Sequence, residues 1–161
     1  GYTRVLADDP VIREIGPKFK DVHEVIWQLL EMTPAFKERF VWPGRRARYT
    51  YQDACHLVHG QGISDIPRKL LGCIRGLEYV PLNESARCCG SAGTYNILQP
   101  GLAEAIQARK ISNILATGAD IVAIGNPGCA LQIMSGLSNS HRRGMTCCHP
   151  VELLEKSWRS T

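Results

Sequence analysis

Four cysteines at turn-like positions are the residues of this chain best suited to chemistry. Cys88 and Cys89 are adjacent and precede Gly90; 32 residues separate Cys55 from Cys88, and 39 separate Cys89 from Cys129. Each separation is about the length of one strand-plus-helix unit. If the chain forms a parallel α/β sheet, the four sulfurs meet at one edge. Four thiolates there could hold an iron–sulfur cluster or a tetrahedral zinc ion.

Glycines surround these cysteines and would allow tight loops, because glycine adopts dihedral angles closed to other residues. The flanking glycines are Gly90, Gly93, Gly125 and Gly128. In an extended segment the side chains of Cys88 and Cys89 would point apart, so a turned backbone is needed for both to reach one metal. The alternative is that one of the two is a ligand and the other packs.

Two histidines follow the first cysteine. His56 and His59 come directly after Cys55 in the sequence CHLVH. Histidine is a common metal ligand, so either residue could replace a cysteine. The alternative is that they hydrogen-bond to the backbone or to a sulfur of the metal site.

The remaining cysteines are expected to be structural. Cys73 and Cys147 lie in apolar surroundings, where a free cysteine behaves as a small buried hydrophobe. Cys148 and His149 approach the same sheet edge as the four candidate ligands, and their roles stay open.

The elements that must position the cysteines alternate between strand and helix. Strands are predicted at Tyr49–Gln52, Leu77–Leu82, Asp120–Ile124 and Met145–Cys148. Helices are predicted from Pro67 to about Cys73, over Leu102–Ala116, from about Ala130 to Leu137 and over Val151–Trp158. This alternation predicts an α/β fold with a small parallel four-stranded sheet flanked by helices. Ligands of such sheets bind outside the carboxyl ends of the strands, where Cys55, Cys88, Cys89 and Cys129 fall.

The first part of the chain does not alternate between strand and helix. Asp9–Leu30 is predicted to be helical, because apolar residues recur there at spacings of three and four. The stripe consists of Phe19, Val22, Val25, Ile26, Leu29 and Leu30. Phe40–Arg48 is predicted to be a connector.

Composition excludes several classes of protein. The chain has 161 residues, 44% hydrophobic content and a net charge of +4, which fits one globular domain. It has no apolar run near the roughly 18 residues that cross a bilayer, and no signal peptide is visible. Seven cysteines is an odd number, which favours a reducing cytosol over a disulfide framework.

Nucleic-acid and nucleotide binding are not expected. The basic clusters, Arg45-Arg46 with Arg48 and Arg142-Arg143, are short and accompany no nucleic-acid-binding motif. The glycine-rich stretch Gly90–Gly93 lacks the lysine of a phosphate-binding loop.

Several segments make the sequence similar to a known family. The strings DACHLVHGQG, IPRKLL, CCGSAGTYNILQP, NPGCALQI and HPVELL resemble the CCG cysteine-rich domain family, and within it the C-terminal part of glycolate oxidase iron–sulfur subunits. Other members are the iron–sulfur subunits of heterodisulfide reductase, lactate utilisation and anaerobic glycerol-3-phosphate dehydrogenase. The resemblance covers nearly all of the chain.

The resemblance implies a division of the chain and a set of ligands. Residues 1–46 would be a helical segment leading from a preceding repeat, whose apolar face packs on that repeat, and 47–161 the CCG domain. Cys55, Cys88, Cys89 and Cys129 would hold one four-iron, four-sulfur cluster. Asn126 stands where the family has the first cysteine of a C-x-x-C pair, which argues against a five-cysteine cluster. The residues expected around the ligands are His56, His59, Gly90, Gly93, Asn126, Gly128 and His149.

The implied function is electron transfer without catalysis by this chain. FAD-containing subunits of the complex would oxidise glycolate to glyoxylate, and this chain would pass the electrons to a membrane acceptor. The implied location is the cytoplasm, with peripheral association at the inner face of the cell membrane. The alternatives are a structural zinc module that docks the flavoprotein, or the iron–sulfur subunit of a related lactate or glycerol-3-phosphate dehydrogenase or heterodisulfide reductase.

Overall fold

The structure is a computed structural model that describes residues 6–140 and 144–158. Arg142 and Arg143 therefore lie outside the described residues. The helices are α1 (Pro10–Ile15), α2 (Val22–Met32), α3 (Ile66–Gly72), α4 (Tyr95–Leu98), α5 (Pro100–Ala116), α6 (Pro127–Ser138) and α7 (Pro150–Ser157). The strands are β1 (Ala47–Gln52), β2 (Leu77–Tyr79), β3 (Ile121–Ile124) and β4 (Thr146–Cys148). Short 3₁₀ segments span Gly16–Lys18 and Pro34–Arg39, and a π-helical turn spans His56–Gln61.

The four strands form one parallel sheet in the order β2-β1-β3-β4. The predicted fold class, a small parallel four-stranded sheet flanked by helices, is therefore confirmed. The chain leaves β1 on one side to make β2 and crosses to the other side to make β3. The carboxyl ends of β1 and β3 consequently form a topological switch point, where open sheets bind ligands.

Each face of the sheet carries its own core. Tyr49 and Tyr51 of β1 face a core shared with α2, α3 and α7. On the other side, Val122 and Ile124 of β3 pack with α5 and α6. All four residues of β3 are buried, which explains why this strand is apolar throughout instead of alternating.

The predicted helix over Asp9–Leu30 is wrong in its middle. The helix α1 ends at Ile15, and a new helix begins only after Asp21, whose side chain accepts from the backbone of α2 in a capping box with Glu24. An N-cap fixes the start of a helix, so the chain turns between the two. On α2, Leu30 is buried, but Leu29 remains 55% exposed, so only part of the predicted stripe reaches the core.

Two other boundaries differ for reasons that involve proline. The strand β2 ends at Tyr79 and not at Leu82, since Pro81 cannot donate to a ladder. The helix α6 begins at Pro127 and not at Ala130, because proline is well accommodated in a first turn.

Only part of the apolar side of α5 is buried. The sequence groups Leu102, Ala105, Ile106, Ile111, Ile114 and Leu115 toward one side of this helix, and Ile111 and Ile114 are buried, whereas Leu102 and Ile106 are 58% and 36% exposed. The residues of α5 that are buried are Ala103, Lys110, Ile111 and Ile114. Because the charged residue Lys110 lies on the buried face, the spacing of apolar residues alone did not reveal which face of α5 is buried.

Candidate metal centre

The four candidate cysteines follow three strands in the chain. Cys55 precedes the π-helical turn after β1, Cys88 and Cys89 lie in the loop between β2 and α4, and Cys129 is in the first turn of α6 after β3. Cys89 and Cys129 are buried, Cys88 is half-buried and Cys55 is exposed. The group therefore runs from the interior to the surface at the switch point.

The sulfurs interact with one another. A hydrogen bond joins the side chains of Cys89 and Cys129, and the Cys55 and Cys88 thiols lie within electrostatic range of Cys129. The bond from Cys129 lowers the pKa of Cys89, while bonding to Cys89 and burial raise the pKa of Cys129. The Cys89 thiol therefore loses its proton more readily than an ordinary cysteine, and the Cys129 thiol donates a hydrogen bond to it.

The side chains are not arranged as a finished coordination shell. Within residues 6–140 and 144–158, no three His, Cys, Asp or Glu side chains stand close enough together to hold a metal ion. The side chains of Cys89 and Cys129 interact, whereas Cys55 and Cys88 would have to come closer to complete a coordination shell.

Backbone amides donate to the sulfurs in the central loop. The Gly90 amide donates to the Cys88 sulfur at 3.4 Å, and the nearby Ser91 amide helps to lower the pKa of Cys89. Gly90 has a φ of +94°, and a Cβ there would lie 2.5 Å from the Ala103 carbonyl oxygen. Only glycine lets this loop turn against α5, so the glycine after the cysteine pair is structurally required.

Asn126 positions the third loop. Its side-chain oxygen accepts from the Cys129 amide at 3.0 Å, and its side-chain nitrogen lies 3.3 Å from His56 Nδ1. A Cβ on Gly128 would lie 3.2 Å from the Asn126 oxygen and 3.4 Å from Ser91 Oγ, so Gly128 leaves room where two loops meet.

The remaining expected neighbours differ in their surroundings. His59 is exposed on the π-helical turn, and a Cβ on Gly93 would meet open space. His149 caps α7: its Nδ1 accepts from the Val151 amide at 3.2 Å, and its ring also bonds to the Gly125 backbone. His149 thus holds the start of the loop that carries Cys129.

The other three cysteines pack as small hydrophobes. Cys73 Sγ donates to the Lys69 carbonyl at 3.3 Å beside the α3 core. Cys147 and Cys148 pack on opposite faces of the sheet, and burial raises the pKa of Cys147 to about 11. Their surroundings fit a structural role.

Sequence reasoning missed the ion pair that joins two of the loops. The Arg68 guanidinium contacts both carboxylate oxygens of the buried Asp53 at 2.7 Å. It also lies 3.3 Å from Ser85 Oγ, in the loop that leads to Cys88. The signal that could have revealed it was Asp53 itself, a carboxylate directly after a strand and two residues before Cys55.

Two further buried groups gave no usable signal in the sequence. Lys110 is 1% exposed, and its Nζ donates to the Glu84 carbonyl at 2.6 Å. His23 is also 1% exposed, stacks on His149 with ring centroids 5.3 Å apart, and has an Nε2 without a partner. Both lie in segments that the periodic pattern treated as ordinary helix.

The donor chemistry fits a thiophilic metal or an iron–sulfur cluster. Cys55, Cys88, Cys89 and Cys129 supply four sulfurs, and the amides around Gly90 supply hydrogen bonds to them. Hydrogen bonds to sulfur and exclusion of water are the means by which a protein adjusts such a centre.

These features define a class: a parallel α/β domain with cysteines on three loops at the carboxyl edge of its sheet. Residues 49–134, more than half of the chain, match the model of the CCG cysteine-rich domain family. The chain therefore belongs to the CCG cysteine-rich domain family.

Known proteins are similar over most of the chain. A probable glycolate oxidase iron–sulfur subunit from Bacillus subtilis is 34% identical over 95% of this chain and 34% of its own length. Lactate utilization protein A from an Exiguobacterium species is 30% identical over 95% of this chain and 59% of its own length. A fumarate reductase (CoM/CoB) subunit from Methanothermobacter marburgensis is 35% identical over 69% of this chain and 23% of its own length. The chain thus spans between about a quarter and three fifths of the length of these relatives.

Proposed function

We propose that this chain is the electron-transfer part of an iron–sulfur subunit of the glycolate oxidase or lactate utilisation type. The observation that carries the proposal is the group of four cysteine thiols on three loops at the switch point of the sheet. The name of the B. subtilis relative supports an iron–sulfur cofactor, and its identity of 34%, against 30% for the lactate utilization relative over the same 95% of the chain, favours the glycolate type.

The residues that would hold the cluster are Cys55, Cys88, Cys89 and Cys129. A cluster bound to thiolates supplies a one-electron couple, and four cysteines are sufficient for a single four-iron, four-sulfur cluster. The chain's own contribution is to bury Cys89 and Cys129, to donate amide hydrogen bonds to sulfur, and to bring Cys129 into place through Asn126.

The partners of the site follow from this role. The chain would receive electrons from an FAD-containing subunit that oxidises a 2-hydroxy acid such as glycolate, and would pass them to a membrane acceptor. Among the described residues, no helix has the length and apolar character to cross a bilayer. Contact with the membrane acceptor is proposed to be peripheral.

Electron uptake after anaerobic reconstitution with iron and sulfide tests the proposal. The loaded chain is expected to be brown, and reduced flavin mononucleotide should bleach it with about one electron per chain. Cys89→Ser should remove both the colour and the electron uptake, whereas Cys73→Ser, the matched control away from the three loops, should leave both unchanged. A colourless protein that binds a single zinc ion would instead support a structural zinc module.

A further inference from the structure

Lys110 is an interior cation directly beneath the loop that carries the cysteine pair. It lies on the inner face of α5 with 1% of its surface exposed. Its Nζ donates to the Glu84 carbonyl at 2.6 Å and lies 3.4 Å from the Ser85 carbonyl. Burying an ammonium group is costly unless nearby negative charge offsets the loss of its hydration. The structure must therefore contain the group that offsets this charge.

The cysteine loop packs on the helix that carries Lys110: a Cβ on Gly90 would lie 2.5 Å from the Ala103 carbonyl oxygen and 3.3 Å from the Gln107 amide nitrogen, one turn before Lys110. The acidic groups near Lys110 are Cys88, Cys89, Glu84 and Asp53. The two carboxylates already have cations of their own. Glu84 accepts from Arg87 at 2.8 Å and from Arg109 at 2.9 Å. Asp53 accepts from both terminal nitrogens of Arg68. Among these contacts, the thiols of Cys88 and Cys89 have no other cation. Lys110 is therefore the positive charge that can offset their negative charge when they ionise.

We propose that Lys110 is the internal counter-ion of the four-cysteine site. Its ammonium group offsets the negative charge that collects when thiolates bind a metal ion or cluster. The proposal rests on the proposed function only where it concerns electron transfer. There, a fixed positive charge stabilises the reduced state, which carries one more negative charge, and so holds the reduction potential of the site higher.

Cadmium binding to the metal-free chain tests the counter-ion without requiring iron. The probe is Cd²⁺, followed by its thiolate absorption in competition with a chelator. Lys110→Met removes the charge and keeps the aliphatic stem, and should weaken Cd²⁺ affinity about tenfold. Lys110→Arg should retain most of the affinity. Lys156→Met, at an exposed lysine of α7, is the matched control and should bind as the wild type does.

Potentiometry of the cluster-loaded protein tests the consequence for electron transfer. Lys110→Met should shift the midpoint potential to a more negative value, and Lys110→Arg should restore it. Circular dichroism and urea unfolding establish that each variant is folded. If Lys110→Met fails to fold, Lys110→Gln takes its place, because an amide removes the charge and still donates a hydrogen bond.

The outcomes separate this proposal from the proposed function. Equal Cd²⁺ affinities and potentials in the wild type and Lys110→Met overturn the counter-ion and leave the iron–sulfur function intact. If the wild type binds no iron and Lys110→Met binds Cd²⁺ more weakly than the wild type, the counter-ion proposal is supported and the iron–sulfur function is contradicted. A wild-type chain that binds neither metal overturns both.

Discussion

At the scale of single residues, each buried or half-buried cysteine of the candidate site is held by a different contact. The free thiol of Cys89 is hydrogen-bonded to that of Cys129, Cys88 accepts from the Gly90 amide, and the Cys129 amide donates to Asn126. Asn126 occupies the position at which the family pattern described above has a cysteine. Its side chain instead caps α6 and contacts His56. The loop is therefore positioned by an amide and not by a fifth thiol.

The cap on α6 gives a prediction for Asn126. Asn126→Ala should lower the free energy of unfolding by about 1 kcal/mol, because the Cys129 amide loses its acceptor at a helix N-terminus. Asn126→Asp should retain most of the stability, since a carboxylate also accepts there. Urea unfolding measures both variants. An alanine variant as stable as the aspartate variant would show that the cap contributes nothing.

The surroundings of His149 predict a pH dependence. Burial, followed by the neighbouring His23, lowers the pKa of His149 from its ordinary value of 6.5. Below pH 6.5 the unfolded chain therefore binds more protons than the folded protein, so stability falls as the solution is acidified. His149→Asn keeps a good N-cap on α7 and should flatten this fall between roughly pH 7 and 5. Parallel pH profiles for wild type and variant would contradict the assignment.

At the scale of elements, the position of the cysteine loops depends on how closely each loop approaches a helix. The central loop turns at Gly90 against the backbone of α5, and the loop after β1 is held by the Asp53–Arg68 pair on α3. These contacts link loops that are far apart in the sequence. They help to hold the three cysteine-bearing loops at one edge of the sheet, although the loops follow three different strands.

A pair of glycines tests the contact between the central loop and α5. Both Gly90 and Gly93 have positive φ, but only at Gly90 would a Cβ meet backbone atoms. Gly90→Ala should cost more than about 2 kcal/mol of unfolding free energy, because α5 and the loop must separate. Gly93→Ala, with the same unfavourable φ in open space, should cost only about 1 kcal/mol. Chemical denaturation that gives equal losses would argue against the close approach.

Much of this arrangement could be predicted from the sequence, for identifiable reasons. The strand β3 is a short apolar run between turn residues, and the cysteines follow strands, so the parallel sheet and the loop positions were accessible. Lys110 and the Asp53–Arg68 pair were not, because polar groups that are buried with partners look like surface residues in a periodic pattern. The break before α2 was missed since the apolar spacing continues across Phe19 while Asp21 starts a new helix.

At the scale of the whole molecule, the helix α2 has one apolar side that packs in the core and another that is exposed to solvent. Leu30 packs in the core on the α3 and α7 side of the sheet, whereas Leu29 beside it is 55% exposed. Phe19 and Met32 are 79% and 78% exposed near the two ends of α2. We propose that this exposed face belongs to an N-terminal segment, 1–46, that leads from a preceding repeat in a longer subunit.

Neighbouring leucines test this placement of α2. Leu30→Ala should destabilise the chain by about 2–5 kcal/mol, the usual cost of emptying a buried leucine site. Leu29→Ala should change the unfolding free energy by no more than about 0.5 kcal/mol, because its side chain contributes little to the core. Thermal and urea unfolding of the two variants compare them directly. Similar losses for both would mean that α2 packs in a different rotation.

The central claim, a redox cluster on the four cysteines of the sheet edge, is tested most directly on one reduced sample. Iron, acid-labile sulfide and zinc are measured together with the electron paramagnetic resonance spectrum of the dithionite-reduced protein. We predict about four irons and four sulfides per chain and a signal that disappears on reoxidation. One zinc ion per chain, with no iron and no resonance signal, would contradict the claim.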